Sequence, residues 1–193
     1  MGLSYNNIFE DISHVWLTSD LHLDHKNILQ LEPNRANIWK TIPDMNQSLI
    51  DNWNMAVDKD DFIIVLGDFC FNKSNVEKYC QMLNGTKILV FGNHDHGDFV
   101  LYQSNDRFSL CRGMISRIID DKRCIFTHIP IYPTELSDGG GRYDINFHGH
   151  IHSRKINNIR YVNVNVDVNN FKPINLADTL AGLNFERSDN LTR

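Results

Sequence analysis

The sequence predicts an α/β domain whose first half builds a parallel sheet and whose second half adds a second sheet packed on it. Three observations carry this. Apolar runs of strand length alternate with helix-patterned segments as far as Phe91. Beyond that point strand-like segments follow one another with few helical intervals. Acidic and imidazole residues stand just after the apolar runs, at the carboxyl ends of strands, where open α/β sheets place their sites.

Val15 to Ser19 is a short apolar and β-branched run that ends at Asp20 and reads as the first strand. From Asp44 to Val57 the apolar residues Met45, Leu49, Trp53 and Val57 recur at a helical spacing, with Pro43 and Asp44 as the start. Phe62 to Leu66 is continuously apolar, the signature of a strand buried on both faces, and it stops at Gly67-Asp68. A second helix is predicted from Ser74 to Leu83, with Ser74 and Glu77 at capping-box spacing and Asn84-Gly85 as the stop. Lys87 to Phe91 repeats the buried-strand pattern and ends at Gly92-Asn93. This alternation implies right-handed crossovers and parallel pairing. Met114–Ile119, Arg123–Thr127, Asp144–Phe147 and Arg160–Val168 are then predicted as strands of the second sheet. Tyr161 to Val168 alternates almost strictly, as a strand with one buried face does. From Asn184 onward the chain is polar and expected to be loosely held. With no repeat or linker, residues 1–193 read as one domain.

Composition narrows the function. A 193-residue chain with 41% hydrophobic residues suffices for one well-packed core. A formal charge of -5 argues against a surface built to track nucleic-acid backbone. No apolar stretch is long enough to span a bilayer, and the first residues lack a signal-peptide pattern, so a cytoplasmic location is expected. Cys70, Cys80, Cys111 and Cys124 form no CxxC pair and are expected to be reduced and mostly buried, which also argues against a structural zinc module.

The chemistry-bearing residues fall in five clusters: Asp20-Leu-His22, Gly67-Asp68, Gly92-Asn93-His94-Asp95, Thr127-His128 and His148-Gly-His150-Ile-His152. Two ligands at i and i+2 reach a common metal when the backbone bends between them. The set is oxygen and imidazole without thiolate, which suits manganese, iron or zinc. Each cluster alone has an ordinary explanation. Asp20 and Asp68 can be turn or capping residues, Gly92 to Asp95 a simple turn, and His128 a core histidine. The alternating histidines at 148, 150 and 152 are harder to dismiss, because period 2 puts all three on one face of a strand. Joint occurrence in this order favours a site.

Taken together, these motifs resemble the calcineurin-like metallophosphoesterase superfamily, and the opening Asp20-Leu-His-Leu-Asp-His25-Lys-Asn27 resembles its small stand-alone members from bacteria and phages. The resemblance implies a four-layer α/β/β/α sandwich of two mixed sheets flanked by helices, holding two divalent metal ions. By position, Asp20, His22 and His152 would bind the first ion and Asn93, His128 and His150 the second, with Asp68 bridging both. His94 would act as the catalytic acid, oriented by Asp95. Two departures stand out: Phe69-Cys70-Phe71 lacks an acidic residue that many relatives carry, and His148 occupies a position that is often apolar.

Such a site hydrolyses phosphate esters. Two cations sharing a carboxylate neutralise the phosphoryl oxygens and lower the pKa of a bridging water, and an imidazole protonates the leaving oxygen. The expectation is therefore a phosphohydrolase using two ions, Mn2+ first with Fe, Zn, Ni or Mg as alternatives. Its substrate would be a small phosphate ester, a nucleotide phosphodiester above a monoester. One competing reading is a scaffold or binding protein that has lost catalysis, but such relatives lack a ligand or the acid and this chain has them all. The other is a nuclease acting on long DNA or RNA, against which the acidic charge weighs. Monomer and homodimer both stay open.

Other residues carry weaker expectations. His14 reads as a surface residue, His96 as a loop residue and His148 as either a support behind the ligands or a packing residue. His25, three residues after His22, and Asn27 are candidates for the substrate side, with Arg35 and Trp39 also placed at the mouth. The segment 133–143 contains a glycine triplet and reads as a mobile wall. Its Arg142 would either contact a substrate phosphate or pair with Asp138 or Asp144.

Overall fold

The computed structural model describes residues 7–95, 99–103 and 108–183; the tail from Asn184 and His96 lie outside the described residues. The first sheet contains β1 (Val15–Thr18), β2 (Phe62–Val65), β3 (Thr86–Val90) and β4 (Leu110–Arg112), and is completed by the last strand, β9 (Ile174–Asn175). Its order is β4-β3-β2-β1-β9, with the first four strands parallel and β9 antiparallel to β1. The second sheet runs β5 (Ile115–Ile119), β6 (Lys122–Phe126), β7 (Ile145–His148) and β8 (Tyr161–Asn163). There β5 and β6 are antiparallel while β6, β7 and β8 are parallel. Helices are α1 (Ile28–Leu31), α2 (Pro33–Ile38), α3 (Ile42–Ala56), α4 (Val76–Met82), α5 (Phe99–Gln103) and α6 (Leu176–Gly182).

The continuous apolar runs are buried on both faces because the first sheet has a packed layer on each side. Ile63 and Val65 face Met45, Leu49 and Trp53 of α3 and Val76 and Tyr79 of α4. Ile64 and Leu66 face the second sheet, where Cys124, Phe126, Ile145 and Phe147 complete a second core. Phe126 and Phe147 stack there with ring centroids 4.8 Å apart. The opposite face of the second sheet carries Asn146, whose Oδ1 accepts from Ile131 N at 2.9 Å, so the crossover 127–144 with its 3-10 turns forms the outer layer. The expected α/β sandwich of two mixed sheets is thus present. All four cysteines are buried and outside any disulfide.

Three local expectations change. Helix α3 begins at Ile42, with Thr41 as its N-cap accepting from Asp44 N at 3.3 Å. The Ser74/Glu77 capping box does not form. Asn72 instead accepts from Ser74 N at 3.2 Å and opens a 3-10 turn before α4. The alternation from Tyr161 to Val168 is a strand only as far as Asn163. Asn163 Oδ1 accepts from Asn165 N at 3.0 Å, and Asn165 Oδ1 from Asp167 N at 2.8 Å, so the polar positions bend the backbone into turns. The segment then crosses between the sheets: Val164 N donates to His148 O at 2.8 Å and Val166 N to Ser19 O at 3.3 Å. It ties together the carboxyl ends of β7 and β1, and those ends carry the candidate site.

At the other end of the second sheet, Asp144 closes the start of β7 onto the start of β6. Arg123 donates to its carboxylate from its backbone N–H at 2.8 Å and from Nε and Nη2 at 2.9 Å each. Burial pushes the Asp144 carboxyl up, but these Arg123 contacts outweigh it and hold it down at about 2. An unfolded aspartate protonates near pH 4. Because the folded value is the lower one, the stability Asp144 contributes is full above pH ~4 and is lost as pH falls toward 2. Denaturant unfolding measured across this window should show a shallower acid limb for Asp144→Asn than for the parent chain.

Candidate active site

Past the ends of β1 and β2 the chain continues as two adjacent loops. Asp20 N donates to Gly67 O at 2.9 Å, His22 N to Asp68 O at 3.0 Å and Leu23 N to Phe69 O at 3.1 Å. Asp20, His22 and Asp68 have φ of 57°, 51° and 55°, and after β7 His150 and His152 have 69° and 50°. Non-glycine residues seldom adopt this left-handed backbone, and where they do the surroundings impose it. It turns the side chains of residues two apart toward the same point, as the spacing requires. His150 and His152 therefore do not share a strand face with His148, as period 2 implied, because β7 ends at His148. His148 is buried against Tyr161, the packing role expected of it.

Two glycines permit the close approach of these loops. A Cβ on Gly92 would collide with the Asp68 carboxylate, and one on Gly149 with the Asp20 carboxylate and the Ser19 hydroxyl. Asp20 in turn accepts from His150 N, at 3.0 Å for its nearer oxygen, so the last loop is seated on the first.

At the centre, acceptor atoms face one another. His128 Nδ1 lies 2.8 Å from Leu66 O, which places the ring proton on Nδ1 and leaves the Nε2 lone pair pointing inward. Around that lone pair stand Asn93 Oδ1 at 2.8 Å, His150 Nδ1 at 3.2 Å and Asp68 Oδ2 at 3.4 Å. On the other side, His22 Nε2 is buried without a hydrogen-bond partner. It lies 3.6 Å from the same Asp68 oxygen and 3.9 Å from Asp20 Oδ1. His152 stacks on His22 at 5.2 Å and brings its Nε2 to 4.0 Å from Asp20 Oδ1. Donor atoms of Asp20, His22 and His152 all lie within 4.8 Å of one another, as do those of Asp20, Asp68 and His128. Orphaned, convergent lone pairs are what a cation satisfies, so these residues fit divalent ions held by oxygen and imidazole.

The electrostatics agree. Burial, with Arg35 and His152 nearby, holds the His22 imidazole well below its usual range, so its lone pair is open at neutral pH. His150 is lowered by burial and by His128. Burial pushes the Asp20 carboxyl up to about 6, a cost that a bound cation would reverse.

His94 is exposed at the mouth, its ring centroid 5.4 Å from that of His22, and its backbone N–H donates to Asp68 Oδ1 at 2.8 Å. Asp95 also has a task in the backbone. Its Oδ2 accepts from Asp68 N at 2.7 Å and Gly92 N at 2.8 Å, and its Oδ1 from Phe69 N at 3.0 Å. Fully buried, it fastens the loops after β2 and β3 to each other.

Of the substrate-side candidates, His25 and Asn27 line a cavity of about 760 Å³ together with Phe71, Asn72 and Asn75. The His25 ring meets Phe71 edge-on at 4.2 Å, and Phe71 stands 5.7 Å from His94. Asp24 builds this wall by accepting from Asn46 Nδ2 at 2.8 Å, Asn75 Nδ2 at 2.6 Å and Tyr79 OH at 2.7 Å. Arg142 is elsewhere. Since β6 and β7 are parallel, the crossover must carry the chain back to the start of β7, and Arg142 ends beside Arg117, Ile118 and Arg123, at the end of the sheet opposite the histidines. Neither carboxylate suggested for Arg142 is spare: Asp144 holds Arg123, and Asp138 accepts from Asn158 and lies 3.7 Å from Arg160. Nor is 133–143 a loose wall. Leu136 is fully buried, and Gly141 lies so close to the Glu135 backbone that no side chain fits between. Arg35 and Trp39 are buried behind the site instead of at its mouth, and His14 is exposed as read, pairing with Asp61 at 2.7 Å.

Asp167 went unread in the sequence, and Arg35 was read at the mouth instead of in the support it gives. Asp167 sits behind His152, its Oδ2 2.7 Å from His152 Nδ1, and Arg35 grips Asp167 from Nε at 2.6 Å. The one signal was an aspartate within an otherwise valine- and asparagine-rich alternation.

Comparison with known proteins agrees with this geometry. The chain is 28% identical over 179 residues to an uncharacterized protein of the archaeon Methanocaldococcus jannaschii, covering 84% of this chain and 86% of the relative. It is 30% identical over 138 residues to the gene 66 protein of Mycobacterium phage L5, covering 69% of this chain and 61% of that one. Its fold matches a crystal structure of an Aquifex aeolicus protein of unknown function with a TM-score of 0.69 at 24% identity, over 86% of this chain and 97% of the other. The family model for the calcineurin-like phosphoesterase superfamily domain matches residues 14–166, which span the candidate ligands from Asp20 to His152, and the chain belongs to that superfamily of metal-dependent phosphoesterases.

Proposed function

We propose that the chain hydrolyses a small phosphate ester, a nucleotide phosphodiester in preference to a monoester, with two divalent ions bound at the site. The observation that carries this reading is the position of Asp68 Oδ2, 3.6 Å from His22 Nε2 and 3.4 Å from His128 Nε2. One carboxylate oxygen thus stands between two donor sets. Asp20, His22 and His152 would hold one ion, Asn93, His128 and His150 the other, and Asp68 both. The donor set, oxygen and imidazole without thiolate, suits manganese, iron or zinc, and Mn2+ is the first ion to test. When bound, the ions supply Lewis acidity toward the phosphoryl oxygens and lower the pKa of water.

The chain's own residues do the rest. His94 is the exposed imidazole at the mouth, free to carry a proton to the departing oxygen. The cavity beside it, with Phe71 as an aromatic wall and Asn27 and Asn72 as polar groups, suits the heteroaromatic and hydroxyl groups of a nucleoside. Its position next to His94 supports the leaving alcohol lying there. A diester leaves room for a group on each side of phosphorus, and it places an unactivated alkoxide in need of that proton.

Metal stoichiometry tests the dinuclear arrangement. Elemental analysis of apo-protein refilled with Mn2+ should give two ions per chain, and Asp68→Asn should weaken both. A single ion at saturating Mn2+ would falsify it. Wild-type turnover by Asp68→Asn with both ions bound would also exclude Asp68 as the bridge.

The His94 assignment makes a separate demand. His94→Ala should lower kcat on an unactivated dinucleotide by about 10²–10⁴-fold, the usual contribution of general acid catalysis. On a nitrophenyl diester, whose leaving group departs without a proton, the loss should be much smaller, and Mn2+ content should not change. Equal losses on both esters would make His94 a phosphate-binding group. No turnover of any ester by the fully loaded wild-type chain would instead favour a binding role for this fold, and salt-dependent affinity for long oligonucleotides a nuclease.

A further inference from the structure

The two halves of the site are supported from behind by different chemistry. His128 Nδ1 faces a neutral carbonyl, Leu66 O, at 2.8 Å. His152 Nδ1 faces a carboxylate, Asp167 Oδ2, at 2.7 Å. That carboxylate is fully buried and is gripped by a fully buried guanidinium: Arg35 Nε donates to Oδ1 at 2.6 Å and Nη2 to Oδ2 at 3.1 Å. The same guanidinium donates from Nη2 to Asp20 O at 2.6 Å and from Nη1 to Leu21 O at 2.9 Å. Asp167 is fixed from its own side by its backbone N–H, which donates to Asn165 Oδ1 at 2.8 Å.

Arg35 therefore meets the site at two places. Through Asp167 it sets the tautomer and tilt of His152, and through the carbonyl of Asp20 it holds the left-handed backbone that aims the Asp20 carboxylate. The fork of a guanidinium suits this, because it makes parallel bonds to the carboxylate and keeps donors for the carbonyls. Such a pair has no role in catalysis at the mouth, since both members are sealed from it. Burial of both charges is costly unless every bond is made, and here they converge on the ligands of one half-site only. A carboxylate behind a ligating histidine fixes the ring and raises its basicity, more than a neutral carbonyl does.

We propose that Arg35 and Asp167 are positioning residues that make the Asp20–His22–His152 set the tighter and first-filled of two metal sites. This rests on the dinuclear reading above, and goes beyond it by assigning an order of filling and the residues that impose it.

The test is a Mn2+ titration of the full-length apo-protein, with free Mn2+ followed by electron paramagnetic resonance, so it needs no substrate. The wild-type chain should show a tight step and a looser one. Asp167→Asn should weaken the tight step by about 10–100-fold and leave the looser one where it was. Arg35→Met would strand a buried carboxylate and is expected to unfold, so Arg35→Lys is the informative variant. It keeps the charge, loses the fork and should weaken the tight step by an intermediate amount, with circular dichroism confirming the fold. In a His152→Ala background, Asp167→Asn should cause no further loss, an outcome that a general structural role would not give. If Asp167→Asn weakens both steps alike, or costs as much without His152 as with it, the positioning role is overturned while the two-ion site stands. A single wild-type step with one ion bound overturns the dinuclear reading itself.

Discussion

A buried carboxylate held by backbone N–H groups, Asp95, sets the geometry on which the site depends. Three backbone N–H groups end on it, from Asp68, Phe69 and Gly92. Parallel strands leave their carboxyl ends free, with loops that have no ladder to hold them in place. Asp95 supplies a connection between the loops after β2 and β3, alongside the His94 N–H donated to the Asp68 carboxylate. Burial pushes the Asp95 carboxyl up, and the N–H groups of Gly92 and Phe69 oppose that shift. Hydrogen bonds to a charged acceptor are worth more than neutral ones in such surroundings. The arrangement accounts for a glycine at 92: the backbone passes so close to Asp68 that a Cβ would occupy the carboxylate's place.

Outward from this point the site is built by opposition between local preference and tertiary demand. Aspartate and histidine tolerate left-handed backbone better than most residues do, yet clustering of this kind is costly and persists only where the surroundings over-determine it. Here the surroundings are identifiable. The carbonyls of Asp20 and Leu21 are held by Arg35, Asp68 lies between Asp95 and His94 N–H, and the loop bearing His150 is docked on Asp20. Those bends convert the i, i+2 spacing into convergence on one point.

How far this was legible in the sequence follows from the range of each interaction. Strands β1, β2 and β3 were legible because double-sided burial demands an unbroken apolar run, a purely local signal. The ligand clusters were legible for a related reason: ligand type and spacing are written in adjacent residues. What failed required knowing the topology. Arg142 looked close to the site in the chain but lies at the opposite end of the second sheet, since a parallel crossover must return to the start of the next strand. The strand reading of Tyr161–Val168 failed because its asparagines bond to backbone amides two residues on, a competition that alternation does not reveal. Asp167 and Arg35 are 132 positions apart. Nothing in either neighbourhood announces that they meet.

On the proposed function, burial divides the work among the histidines. A metal-ligating imidazole must be neutral, and removal from water favours the neutral form; His22 is nearly sealed, and burial holds it well below its usual range. An imidazole that delivers a proton needs access to a changing partner and must not be committed to a ligand. His94 meets that condition: it is exposed, and its tie to the site is a backbone N–H donated to Asp68. Its side chain is left to stand over His22 and beside Phe71. A single tetrapeptide, Gly92 to Asp95, therefore supplies a close-packed glycine, a neutral amide donor to the site, a free imidazole and a buried anchor. Exchanging His94 and Asp95 would cost the loop its anchorage, because the anchor must be buried and the imidazole is exposed.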